Sequence, residues 1–185
     1  NGTDRIKCIG QMLTGQMHAS TCSKLTRRNL LFESGFFDLD IKDIREDLVT
    51  SILVFLFSTK IYFLNESYYH YRCNWSSMTR LSDFTNSSKI ITDCTHNIII
   101  IERILKKAHL FKSLENELLI QKYSIKNKIY DLMVYSEYKF CETFPEANNT
   151  TYALPYIRSK TKLKQWFILK YHRLRNYILH LKKII

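Results

Sequence analysis

Residues 48–57, LVTSILVFLF, are apolar around almost their whole circumference, with only Thr50 and Ser51 breaking the run. A segment of this kind must be covered on most sides, so the rest of the chain has to be built around it. It is too short to span a bilayer, which takes about 20 apolar residues. Glu46 and Asp47 stand directly before it. Two carboxylates there complement the partial positive charge of a helix N-terminus, so the run is expected to be a buried helix rather than a strand. Only 4 Gly and 2 Pro occur in 185 residues. That is too few for the many tight turns of a sandwich or barrel, and a mainly helical chain with a few strands follows.

Other segments are available to cover the run. Residues 4–17 read as a weak helix, and residues 25–32 (LTRRNLLF) as a short surface helix ended by Ser34-Gly35. Residues 60–64 (KIYFL) and 68–72 (YYHYR) read as two short strands separated by Asn65, Glu66 and Ser67. Ser82, Asp83, Ser87 and Ser88 are candidate caps for a helix over 89–108, whose Ile90, Ile91, Cys94, Ile98, Ile101, Ile104, Leu105 and Ala108 keep the helical period. A further helix is expected over 114–138, then a loop over 144–155 and a tail helix over 157–183.

Charge is distributed unevenly. The chain carries a formal +11, yet no Asp or Glu follows Glu146, and nine Lys and Arg lie beyond it. Residues 1–146 hold 19 cations against 17 anions, so the body is near neutral and the tail is a basic patch. Within the tail the cations alternate with Leu163, Trp166, Phe167, Leu169, Tyr171, Leu174 and Ile178. This pattern describes a helix lying on an anionic membrane surface, and equally a basic amphipathic helix docked on its own domain. A neutral body without a recognisable nucleic-acid-binding motif argues against nucleic acid as partner. Five scattered Cys with no CxxC pair point to reduced thiols in a reducing compartment. No signal peptide opens the chain, and a start at Asn1 without an initiator Met reads as an excised or processed segment.

Residues 43–80 carry the chemistry. Glu46-Asp47 opens the buried helix, the KIYFL segment follows, and Tyr68 through Thr79 reads YYHYRCNWSSMT. In that order and spacing the block resembles the closing part of the catalytic domain in family 2 glycosyltransferases that build bacterial surface polysaccharides. In that family an E-D pair, a K-I-x-[FY]-[ILV] strand and a Y-Y-x-Y-R-x-x-x-x-S-[MI]-T segment occur in succession. Upstream, Cys22-Ser23-Lys24-Leu25-Thr26-Arg27-Arg28 is similar to the family's W-N-K-L-Y-R-R with the Trp and Asn replaced. The resemblance covers residues 21–80.

Transfer of a sugar requires a carboxylate to take the acceptor hydroxyl's proton, and cations to stabilise the departing nucleoside diphosphate. The resemblance implies Asp47 as general base, with Glu46 orienting it or binding acceptor. It places Arg72, Ser77 and Thr79 near the donor diphosphate, where the planar fork of an Arg suits phosphate oxygens. Lys24 is a further candidate contact to acceptor or phosphate. Outside that resemblance, the acid pair would complement a helix dipole in any protein. The family's V-I-I-P-x-Y-N strand and its metal-binding D-x-D are absent, and Asp38-Leu39-Asp40 lies at the wrong place for the latter. The divalent metal, Mg or Mn, and the nucleotide-sugar donor would therefore bind a part of the enzyme outside this chain, which alone is expected to be inactive.

Together these readings give an α+β, mostly helical chain: the C-terminal portion of a GT-A-type glycosyltransferase domain with a helical extension. Its parts are residues 1–80 as the acceptor-side end of the catalytic domain, 81–146 as a helical extension and 147–185 as a basic tail helix. The expected role is sugar transfer from a nucleotide-sugar donor to a glycan or lipid-linked acceptor, by a cytoplasmic enzyme peripheral on the inner face of the cell membrane. The alternative is a non-catalytic helical interaction module with a membrane- or nucleic-acid-binding tail.

Overall fold

The computed structural model describes residues 2–64, 66, 68–70, 72, 84–132, 143–148 and 171. Five helices occur among them: α1 (Gly2–Leu13), α2 (Arg28–Glu33), α3 (Glu46–Phe57), α4 (Phe84–Lys107) and α5 (Glu115–Leu132). Short 3-10 turns lie at Thr21–Ser23, Phe36–Asp38 and Pro145–Asn148. The chain divides into two compact units, Asn1–Asn148 and Asn149–Ile185. In the second, Tyr171 is helical and exposed, and the rest of the expected tail helix lies outside the described residues.

The apolar run becomes α3, and it is the centre of the first unit. It packs against α1, α2 and α4, while α5 closes on α1 and α4. Leu48, Val49, Ser51, Ile52, Leu53, Val54 and Phe55 are all buried. Ile9 and Leu13 of α1, Ile98, Ile101 and Leu105 of α4, and Leu118 and Ile125 of α5 are buried as well, and with α3 they form the core of this unit. A helix buried this deeply needs its end groups satisfied. At its C-terminus Ser58 donates to Val54 O through both its N–H (3.0 Å) and its hydroxyl (2.6 Å). Arg5 of α1 places Nη1 on Leu56 O (2.8 Å) and Ser58 O (3.1 Å).

α4 begins earlier than the period suggested and stops where expected. His109 takes a left-handed φ of 56°. Its N–H reaches Lys106 O (3.1 Å) and Leu110 N–H reaches Leu105 O (2.9 Å), the paired bonds of a Schellman ending. α5 is joined to α4 and to the Pro145–Asn148 turn by Lys122, whose Nζ lies 2.6 Å from both Glu102 and Glu146. Burial alone would pull this ammonium down, but the hydrogen bonds to the two carboxylates outweigh it and hold the group above its ordinary value.

The α+β expectation is overturned. Among the described residues there is no strand and no sheet, so the GT-A-type architecture expected from the resemblance is not found. Residues 60–64 and the described part of 68–72 belong to no regular element. The physical reason is that strand preference in a sequence records a fit to a pleated, half-buried surface. With no neighbouring strand among the described residues to complete its ladder, such a segment gains nothing from extension. Here Tyr62 and Phe63 are 79% and 69% exposed.

Candidate functional site

The acid pair sits at the N-terminus of α3, delivered there by a loop fastened to α4. Asn97, 1% exposed, acts as a substitute strand for that loop. Its Oδ1 accepts from Lys42 N–H (2.9 Å), and its Nδ2 donates to Lys42 O and Ile44 O (2.8 Å each). Lys89 pairs with Asp43 at 2.5 Å, and His96 Nε2 lies 2.8 Å from Asp40 O. Arg45, immediately before the pair, takes a left-handed φ of 69° and ψ of 22°. That conformation is uncommon outside Gly, Asn and Asp, and it persists only where surrounding contacts hold it. With its amide oriented by its neighbours, buried Gln121 of α5 donates to Leu13 O (2.6 Å) and accepts from Arg45 Nη1 (2.5 Å).

Asp47 and Ser51 lie one turn apart on α3, and both hold residues 18–24. Asp47 Oδ1 accepts from Thr21 N–H (3.0 Å) and from the Thr21 hydroxyl. Ser51 Oγ donates to Ala19 O at 2.6 Å. Asp47 Oδ2 has no protein donor among the described residues, and Asp47 forms no ion pair among them. Lys24 is close enough to feel the Asp47 charge, but its ammonium donates to Ser20 O (2.7 Å), His18 O (3.0 Å) and Ser23 Oγ (3.5 Å). All three of its protons are therefore engaged within its own loop. Burial pulls this ammonium below its ordinary value, against the opposing pull of Asp47.

Glu46 remains open to solvent at the helix mouth. Partial burial pushes its carboxyl above the usual range, and the charges of Asp47 and Asp43 add to this; the N–H groups of Glu46 and Asp47 act against it. The folded chain thus favours the protonated form of Glu46. Its contribution to stability is complete below the unfolded-state value and is lost as pH rises through the raised folded value. Glu46→Gln, which cannot ionise, is expected to gain on the wild type by a few tenths of a kcal/mol, a small figure because solvent screens the group. The gain should open as pH rises from about 4 to about 7. Thermal melts across that range check it, and a variant that falls further behind as pH rises contradicts it.

Of the residues singled out by sequence, the structure brings Glu46, Asp47 and Lys24 to one end of the bundle. Arg72 is exposed and makes no hydrogen bond or ion pair among the described residues. Ser77 and Thr79 lie outside the described residues. Sequence reading missed Thr21, Asn97 and Gln121. Ser51 left a trace as a polar residue inside an apolar run, one turn from Asp47. Among the described residues no cluster of three or more His, Cys, Asp or Glu fits a metal ion. Asp40 of the D-x-D triplet is instead ion-paired with Lys42 at 2.6 Å, a hydrogen bond that holds its carboxyl below the usual range. Comparison with models of known protein families, with curated proteins and with solved structures finds no match to this chain.

Proposed function

We propose that this chain is part of a glycosyltransferase that moves a sugar from a nucleotide-sugar donor to a glycan or lipid-linked acceptor in cell-surface polysaccharide synthesis. The observation that carries the reading is the state of Asp47: one carboxylate oxygen is held by two donors of Thr21, and the other has no protein donor among the described residues. A base needs this combination of fixed direction and free lone pair. The order of motifs in residues 21–80 supports the same reading.

In the proposed reaction the acceptor oxygen attacks the anomeric carbon while its proton passes to Asp47 Oδ2. The bond from that carbon to the donor phosphate breaks, and the nucleoside diphosphate leaves with its electron pair. Attack opposite the leaving group inverts the anomeric centre. The donor and its Mg or Mn ion are assigned to a longer protein of which this chain is part. The described residues do not fit a metal, and no step here runs through one. Transfer assays on that longer protein with Asp47 or Glu46 substituted test the reading, and loss of turnover with donor affinity retained is the expected result.

We place the enzyme at the cytoplasmic face of the membrane, as a peripheral protein on anionic lipid, and the basic tail of the sequence supports this location. Among the described residues no helix is long and apolar enough to cross a membrane. The nine cations after Glu146 are each worth about 1 kcal/mol near such a surface and are screened by salt. Removing residues 157–185 is expected to abolish sedimentation with anionic liposomes and leave the helical unit folded. Equal binding by the truncated chain, or binding indifferent to salt, excludes this role for the tail.

A second reading is a non-catalytic helical interaction module with a membrane- or nucleic-acid-binding tail. It draws on the large exposed side chains of Tyr62, Phe63, Leu64, Tyr68 and Tyr69, residue types that partner-binding surfaces use. Full activity of the longer protein after loss of the acid pair favours it.

A further inference from the structure

We infer that Thr21 is the positioning residue of Asp47, fixing its carboxylate through Oδ1 so that Oδ2 alone is presented to the acceptor hydroxyl. The inference rests on the reading of Asp47 as general base.

An aspartate at the start of a helix, with two rotatable bonds and water around it, exchanges between rotamers unless something holds it. The Thr21 backbone N–H and hydroxyl both converge on Oδ1, which fixes the carboxylate plane as well as its position. The anchor is itself anchored. Ser51, buried within α3, holds Ala19 O, and Lys24 spends its three protons on His18 O, Ser20 O and Ser23 Oγ. Residues 18–24 are thus tied to the rigid central helix at Asp47 and Ser51, and internally by Lys24.

The role of Lys24 follows from the same geometry. A tie needed only for stability could have used the nearby ammonium as a direct ion pair. Such a pair would have neutralised the carboxylate and occupied it with a mobile side chain. Instead the ammonium is turned into its own loop and the carboxylate is held by neutral donors. Orientation is provided, and basic lone pairs remain. Misplacement of a reacting group by about 1 Å costs on the order of 100-fold in rate, so an orienting contact of this kind is felt in turnover rather than in donor binding.

Two experiments separate the inference from the reading beneath it. In this chain, the Thr21 amide proton is followed by NMR as pH is lowered from neutral. Its resonance is expected to move as the carboxylate takes up a proton, and Asp47→Asn is expected to remove that response. In the longer protein, Thr21→Val keeps the shape and the backbone N–H but lacks the hydroxyl. It is expected to lower kcat by about 10- to 100-fold with donor KM nearly unchanged. Thr21→Ser restores the hydroxyl and should recover most of the rate. An amide indifferent to pH, a Thr21→Val enzyme at wild-type rate, or a serine variant no better than valine overturns the assignment. Wild-type turnover by Asp47→Asn removes the base reading on which it rests, and leaves the amide response of this chain to be judged alone.

Discussion

Asp47→Asn in the longer protein is expected to reduce turnover by about 10²- to 10⁴-fold, some 3 to 5 kcal/mol of barrier, with little change in donor affinity. The amide has the size of the carboxylate and can still accept from Thr21 through its oxygen. What it lacks at neutral pH is an oxygen able to take the acceptor's proton. Donor binding is assigned elsewhere in the enzyme and should be indifferent. Glu46→Gln is expected to be milder, because Glu46 carries no anchoring contact to the 18–24 loop, where Thr21 holds Asp47 instead. Turnover, donor dissociation constant and melting temperature for both variants make the comparison. A dead Glu46→Gln beside a near-normal Asp47→Asn reverses the two roles. Activity in both makes the pair structural, and the proposal of sugar transfer then loses its chemistry.

Ile52→Ala is expected to cost about 2–5 kcal/mol of folding stability. Ile52 has no exposed surface and lies at the middle of α3, the helix that packs against both α1 and α4. Deleting its buried carbons loses their transfer free energy and leaves a void that rigid helical neighbours only partly fill. A domain of this size is stable by about 5–15 kcal/mol, so one such change removes a large share of the total. Leu25→Ala is the matched control. Leu25 is 97% exposed, and its truncation should stay within about 0.5 kcal/mol of wild type. Urea unfolding of both variants gives the test. A lower midpoint at unchanged slope for Ile52→Ala is the expected result, and equal midpoints for the two variants contradict the placement of α3 at the centre of the core.

Much of the helical framework was legible from one-dimensional pattern. The buried helix at 48–57, the acids at its mouth, the helix expected over 89–108, the helix expected over 114–138 (described as far as Leu132) and the surface helix expected over 25–32 (found at Arg28–Glu33) all follow from apolar spacing and helix-end chemistry. These are local properties, set by residues three and four apart on one element. The positions of Glu46 and Asp47 at a helix N-terminus were legible for the same reason.

Tertiary structure alone decided the rest. Whether KIYFL forms a strand depends on a neighbouring strand, which no property of the segment reports, and among the described residues none is present. Lys24 shared a motif-like stretch with Thr21, but only the folded loop shows its ammonium turned inward and Thr21 facing Asp47 from 26 positions away. Asn97 reads in sequence as a polar residue amid isoleucines, while in the fold it satisfies the backbone of Lys42 and Ile44 from more than 50 residues distant. Apolar periodicity predicts which face of an element is buried. Hydrogen-bond partners far apart in sequence are chosen by which backbone and side-chain groups that burial happens to strand away from water, and this is settled only when the helices have packed.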